Sequence, residues 1–257
     1  MARAPRPAAV QPAYVLHSYD WSETSLILDL FTRDFGRVAV AAKGAKRPYS
    51  QLRSVLLPFQ RLHVGLGKAA ASAEAAEVQT LRQAEWAGGS PMLGGAALFS
   101  GFYLNELLMK LLARHDPHPR LFDAYAATLP ALAGEGDAEQ AALRAFELTL
   151  LSATGLLPDL STATLGSAEL QPQRLYALRP EAGLVLLPFG EDGGCSGTAW
   201  ISLQAALQHG SMAALQSTCA SVSAMLKPQL RTLLHYHLGS PQLRTRQVML
   251  DVQRLLD

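Results

Sequence analysis

The chain is short of most of what chemistry is built from. Only two of its 257 residues are cysteines, Cys195 and Cys219, too few for a disulfide framework, and nothing points to an oxidising compartment. No apolar run approaches the roughly 18–20 residues needed to span a bilayer. The opening "MARAPRPAAVQP" has two arginines but no apolar core behind them. It reads as a disordered lead-in over 1–12 and not as a signal peptide. The expected location is the cytoplasm, without a membrane partner. Charged residues are also sparse, at 17% against 49% hydrophobic, which fits a folded globular protein.

Catalytic signatures are missing too. There is no GxSxG, HExxH or GxGxxG. "GLGKAAAS" around Lys68 has Leu62 where a phosphate-binding loop needs its first glycine, and Ala69 where it needs Ser or Thr. His115, Asp116 and His118 cluster in "RHDPHP", a pattern read as a solvated helix end rather than a metal site. His235 and His237 are two apart in an expected helix and point to different faces. Cys195, in "GGCSGT", has no neighbour at ligand spacing. An enzyme is not expected, and neither is a catalytic residue.

What the chain does have is an uneven charge distribution. Residues 1–70 hold ten Lys/Arg against four Asp/Glu, a balance of +6; residues 71–200 hold seven against fifteen, or −8; residues 201–257 hold five against two, or +3. The stretch "AVAAKGAKRPYSQLR", Ala39 to Arg53, carries Lys43, Lys46, Arg47 and Arg53 and no acid. Solubility alone does not require such segregation. One sign on a Gly- and Pro-punctuated loop suggests an anionic ligand, and Arg33 and Arg37 bracket the adjacent "DFG" turn. Tyr49 and, less strongly, Phe35 are candidates to stack on bases. Phe35 is also a candidate for core packing at the barrel end.

Periodicity divides the chain. From Ala13 to about Thr80, short runs of β-branched, aliphatic and aromatic residues read as five strands: "AYVLHSYD", "TSLILDLFT", "RVAVAAK", "FQRLHVGLG" and "AAEVQTL". Phe59, Leu62, Val64 and Leu66 are the inward candidates of the fourth. "SQLRSVLL" has room for a helical turn or two. Five strands in so short a span suggest an OB-like barrel over 13–83. After "WAGGSP" the period becomes helical, with Ser90 as N-cap and Pro91 as first helical residue. Helices follow at "PRLFDAYAATLPALAG" and "DAEQAALRAFELTLLSATG", a hairpin at 174–189, then helices at 202–208, 212–226, 228–238 and 243–256. The fold expected is α+β: a five-stranded OB-fold barrel, then a mainly α-helical domain over 90–257 that includes a small hairpin module.

Four segments, in order, carry a resemblance to the RecO family of bacterial DNA repair proteins. They are "SETSLILDLFTRDFGRVAVAAKGAKRPYSQLRSVLLPF", "GFYLNELLMKLLARHDPHPRLFDAYAATLPAL", "LRAFELTLLSATGLLPDL" and "LRTLLHYHLGSPQLRTRQV". The resemblance implies a recombination mediator responding to DNA damage. Such a protein binds single- and double-stranded DNA, anneals complementary strands, and helps RecA onto DNA covered by the single-stranded-DNA-binding protein. It implies RecR as partner, and RecF in some settings. On that reading Arg33, Arg37, Lys43, Lys46, Arg47, Tyr49 and Arg53 form the DNA-binding surface. The family also binds the acidic, Phe-ending tail of the single-stranded-DNA-binding protein, for which Arg114, Arg120 and Arg144 are candidates. Arg144 could equally brace Glu147. The alternative function is a protein-binding adaptor whose basic loop docks an acidic partner.

One departure stands out. Many family members carry two cysteine pairs for zinc, and the corresponding positions here, in a module at about 158–200, are Thr162, Leu165, Leu186 and Phe189. None supplies thiolate, imidazole or carboxylate. No zinc and no other cofactor is expected, and packing of Leu165, Leu186 and Phe189 is expected to hold the hairpin instead.

Overall fold

A computed structural model describes residues 10–67, 78–88, 92–134, 136–164, 166–239 and 243–256. Ser90, Pro91, Lys68 and Leu165 lie outside the described residues. Two compact units emerge: Met1–Leu93 with Leu104–Ala126, and Gly94–Tyr103 with Ala127–Asp257.

The first unit contains a closed barrel of β1 (Val10–Asp20), β2 (Leu26–Thr32), β3 (Gly36–Ala42), β4 (Leu62–Leu66) and β5 (Val78–Trp86), in the order β1-β2-β3-β5-β4. The pairings are antiparallel except between β3 and β5, which is parallel. A five-stranded barrel of this kind is the OB-like architecture. A short helix α1 (Gln51–Val55) lies between β3 and β4. Because β1 starts at Val10, residues 10–12 are strand rather than lead-in, paired with β4 through Val10–Gly65, Gln11–Val64 and Pro12–His63.

Alternation explains the interior. Ala13, Val15, Leu28, Leu30, Val38, Val40, Leu62 and Val64 fill the barrel. The opposite faces of β1 and β2 are buried as well. Tyr14 packs on Phe122 and Tyr125, with ring centroids 5.3 and 5.0 Å away, and Phe31 packs on Phe122 at 5.4 Å. A strand buried on both faces loses the polar alternation of a half-exposed one, which is why "SLILDLF" reads as a nearly continuous apolar run. Phe59, expected inside the fourth strand, is buried but precedes it, with φ of +65°.

Three helices follow one another, α2 (Gly95–Leu111), α3 (Pro119–Leu132) and α4 (Asp137–Ala153), and α5 (Gly197–His209) comes further on. The helices α2 and α3 each contribute residues to both units. Between α4 and α5 lies the hairpin module: β6 (Thr162–Ala163) pairs with β7 (Ala168–Glu169), and β8 (Leu175–Arg179) is flanked by β9 (Gly183–Leu186) and β10 (Cys195–Ser196). The helices α6 (Met212–Leu238) and α7 (Arg244–Leu256) complete the chain.

The sequence breaks α6 at Pro228, but the structure does not. Proline within a helix forfeits one backbone bond and strains the preceding turn, at a cost of about 3 kcal/mol. Here Leu226, Leu230, Leu233 and Leu234 continue one buried stripe across it, and each fully buried leucine returns about 1.5–3 kcal/mol. The core outweighs the local preference.

The module is held differently from expectation. Leu186 is 40% exposed and Phe189 is 95% exposed, so they do not form a packed substitute for a metal. Hydrogen bonds and a small core take that part. The Thr164 amide donates to the Leu184 carbonyl and its hydroxyl accepts from the Leu184 amide, both at 3.2 Å. Gln229 of α6 accepts from the Leu178 amide at 2.6 Å and donates to the carbonyl of Gly193 at 3.2 Å. The Trp200 indole donates to the Tyr176 carbonyl at 3.0 Å. Gly183 is obligatory: its φ is +64°, and a β-carbon there would lie 1.9 Å from the Thr164 hydroxyl.

Candidate nucleic-acid interface

Register sorts the basic residues of the barrel. At one end Leu26 faces Ala42 and Asp20 faces Leu26; at the other, Thr32 faces Gly36 and Ala13 faces Thr32. The seven residues of β2 separate the two ends by about 20 Å at the usual rise per residue. Lys43, Lys46, Arg47, Tyr49 and Arg53 follow β3 at the first end. Arg33 and Arg37 belong to the second. Residues close in sequence are therefore not one cluster.

At the second end the arginines are engaged. The Arg33 guanidinium makes a two-pronged pair with Asp123, at 3.0 and 2.9 Å, and approaches Asp34 at 3.7 Å. The hydrogen bond and charge of Asp123 hold its pKa above the usual arginine value. Arg37 lies 3.0 Å from the carboxylate of Asp29, a residue 2% exposed on the outer face of β2, and Arg114 reaches the other Asp29 oxygen at 3.3 Å. Arg37 also donates to the carbonyls of Met109 and, at 3.0 Å, Leu112. Met109 lies in the last turn of α2 and Leu112 directly follows the helix, where carbonyls lack helical partners. Gly36 lets the turn approach closely, since a β-carbon there would meet the Asp116 carbonyl at 2.0 Å. Phe35 at the same turn is 43% exposed.

The first end is the opposite case. Lys43, Arg47 and Arg53 are exposed, and among the described residues none forms an ion pair. Tyr49 is 99% exposed. Gly44, with φ of +73°, turns the chain between Lys43 and Arg47. Lys46 is half-buried and acts as a tether: its amide donates to the Thr24 carbonyl at 3.0 Å, and its ammonium reaches the Ser22 carbonyl at 3.2 Å and Asp20 at 3.0 Å. The loop is fixed at Lys46 and open on either side of it. Such an arrangement can neutralise phosphates without first breaking internal pairs.

The sequence reading missed the aromatic neighbours. Trp21 is 70% and Tyr19 45% exposed; Trp21 lies within, and Tyr19 directly before, the segment Asp20 to Thr24 to which Lys46 is tethered. Composition gives no hint of this; the signal is the run Tyr-Asp-Trp at a strand end followed by Ser, Glu and Thr.

The three arginines proposed for a peptide are likewise separated. Arg114 is paired with Asp29, and Arg120 is an exposed residue of the first turn of α3. Arg144, 5% exposed in α4, lines a pocket of about 180 Å³ with Phe99, Leu143, Leu234, Lys227, Arg231 and Arg246. It also braces Glu147, whose Oε1 accepts from both Arg144 and, at 2.6 Å, the Tyr103 hydroxyl. Burial pushes the Glu147 carboxyl above its usual range, against the pull of Arg144 and Tyr103. Neither Arg114 nor Arg120 lines this pocket.

Other chemistry is weakly supported. Burial raises the Cys195 thiol to about 11 and the Cys219 thiol to about 12, so neither is a ready nucleophile. Among the described residues no three His, Cys, Asp or Glu side chains converge as a metal site. The hydroxyl, aliphatic and aromatic side chains of Thr162, Leu186 and Phe189 offer no thiolate, imidazole or carboxylate to a zinc ion. No described helix is long and apolar enough to cross a membrane.

Comparison with known proteins agrees with the architecture. Residues 8–89 match the family described as Recombination protein O N terminal, and residues 94–247 match Recombination protein O C terminal. A DNA repair protein RecO of Verminephrobacter eiseniae is 54% identical over 257 residues, covering 99% of this chain and 100% of that relative. Its counterpart in Polaromonas naphthalenivorans is 53% identical, covering 95% and 97%. One from Delftia acidovorans is 51% identical, covering 99% and 100%. With both halves of the chain matched and such relatives aligned from end to end, the protein belongs to the RecO family of DNA repair proteins.

Proposed function

We propose that the chain is a non-enzymatic recombination mediator that binds single- and double-stranded DNA at the end of the barrel bearing Lys43, Arg47 and Arg53. The observation that carries this reading is the set of exposed cations, unpaired among the described residues, on the loop held in place by Lys46 and in the helix α1 that follows it. A phosphate backbone releases counterions to such a surface whatever its base sequence. Annealing then needs no bond chemistry: neutralised strands approach, and base pairing supplies the free energy. Arg37, shared between the buried Asp29 and carbonyls at the end of α2, acts as a brace, and Arg33 is engaged with Asp123. The protein works in the cytoplasm, on the nucleoid.

The pocket beside Arg144 supports the second half of the reading, docking of the acidic tail of the single-stranded-DNA-binding protein. Phe99, Leu143 and Leu234 supply apolar walls for a terminal aromatic ring, and Lys227, Arg231 and Arg246 supply positive charge for carboxylates. Held there, the mediator is positioned to help RecA onto covered DNA, with RecR, and in some settings RecF, as partner.

The test is fluorescence anisotropy of a labelled single strand across several salt concentrations, with wild type and Lys43→Ala/Arg47→Ala/Arg53→Ala. A weaker complex with a shallower salt slope supports the DNA face. Unchanged affinity and slope would favour the adaptor reading, in which the same loop docks an acidic protein.

A further inference from the structure

Beside the basic loop lies an exposed aromatic pair, Tyr19 and Trp21. The connection between β1 and β2 is a tight turn in which the amides of Trp21 and Ser22 both donate to the Ser25 carbonyl, at 3.2 and 3.3 Å. The turn leaves the indole of Trp21 70% exposed. Just before it Tyr19 is 45% exposed, its ring 4.4 Å from that of His17. An exposed tryptophan forfeits much of the stabilisation that burial would give.

The turn is tied to the cationic loop by several bonds. Besides the three contacts of Lys46, the Gly44 amide reaches the Ser25 hydroxyl at 3.4 Å. The indole therefore sits at the same barrel end as Lys43 and Arg47, on a loop fastened to theirs. Trp86 offers a contrast within the same barrel. It is 64% exposed, pairs with Leu62 at the end of Arg33, and donates its indole N–H to Gln60 at 3.2 Å.

We propose that Trp21, flanked by Tyr19, is a base-stacking platform, and that it makes this face favour unpaired strands over duplex. The inference rests on the reading that DNA binds this end of the barrel. Cations meet phosphates in both forms of DNA. An aromatic face meets a base only when that base is not stacked within a duplex, and each such contact strengthens binding in a sequence-tolerant way. Cations set how tightly the face holds any DNA, and Trp21 sets which form it holds better.

The experiment uses the full chain and three probes of equal length: a thymidine oligonucleotide, the same strand with abasic central positions, and a duplex. Trp21→Ala is expected to weaken binding to the thymidine strand about tenfold, the order of one lost stacking contact. Binding to duplex should stay within about twofold, since the phosphate contacts remain. The variant should no longer distinguish intact from abasic strand, and Trp21→Phe should restore the distinction. Equal loss on all three probes, or an undiminished preference for the intact strand, would overturn the proposal.

A second measurement needs no change at Trp21. In a Trp86→Phe protein, thymidine strands should quench indole emission and the abasic strand should not; quenching that disappears with Trp86 rather than Trp21 also overturns it. The Lys43→Ala/Arg47→Ala/Arg53→Ala variant separates the two ideas. If it binds all probes normally, the DNA face itself is misplaced. If it binds all of them poorly while Trp21→Ala behaves as wild type, only the stacking role fails.

Discussion

At one end of the barrel Arg33 grips Asp123, and Arg37 is shared between Asp29 and the last carbonyls of α2. At the other, Lys43, Arg47 and Arg53 face solvent with no acid against them among the described residues. The two groups lie within twenty-one positions of one another and contribute alike to the chain's charge. Their surroundings give them different work. A guanidinium that already satisfies a buried carboxylate cannot turn to a phosphate without exposing that carboxylate's desolvation cost. A solvated one exchanges only water and counterions. What matters for an anionic ligand is how many cations are unengaged, not how many are present.

The largest effect should come from the engaged end. Arg37→Ala leaves Asp29 buried with only Arg114 beside it and returns two helix carbonyls to orphan status. We expect a loss of about 3 kcal/mol, as for breaking a buried ion pair, read from urea denaturation, with the salt slope of DNA binding in folded protein unchanged. A stable variant with a shallower slope would erase the distinction between the ends.

Next in size is the triple variant Lys43→Ala/Arg47→Ala/Arg53→Ala. Each phosphate contact contributes about 0.7 to the single-strand salt slope, so the slope should fall by roughly 2 if all three are used. The urea midpoint should hardly move. A large drop in stability would mean that these cations too are structural.

A third test carries the comparison to Arg144, which is held by Glu147 as Arg37 is by Asp29. Because burial raises the Glu147 pKa in the folded protein, the folded state keeps that proton to higher pH than the unfolded chain does. The contribution is therefore present in full below the ordinary carboxylate range and is lost as pH rises through the raised folded value. Subtracting the stability profile of Glu147→Gln from that of wild type should show a decline with rising pH over that window; a rise would contradict the direction. The smallest effect belongs to Arg33→Ala. Its pair with Asp123 is solvent-exposed, and such pairs contribute little, so neither melting temperature nor DNA affinity should change by more than a small amount.

Much of the architecture was legible in the sequence, and for physical reasons. Short runs such as "RVAVAAK" bounded by turn residues fixed the barrel strands, and helix-spaced leucines fixed the bundle. The errors occurred where long-range contacts outweighed local ones. Pro228 signalled a break that the buried leucine stripe overrode. Leu186 and Phe189 looked like packing residues, but backbone bonds from Thr164 and the reach of Gln229 hold the module, while Phe189 lies under the guanidinium of Arg174, 5.6 Å away. Charge counting located the basic region but could not assign Arg33 and Arg37 to the far end, because that depends on register and on Asp123, ninety residues away.

The barrel wall is not uniform. Seven residue pairs join β2 to β3, whereas among the described residues β3 meets β5 in three, Ala39–Val78, Val40–Gln79 and Ala41–Thr80. A closed sheet has no free edge, yet its closure is only as durable as its shortest ladder. Amide hydrogens along that parallel seam should exchange with solvent before those between β2 and β3, making it the place where the barrel first breathes. The seam ends at Ala41, two residues before Lys43, so opening of the wall there would reach the base of the cationic loop.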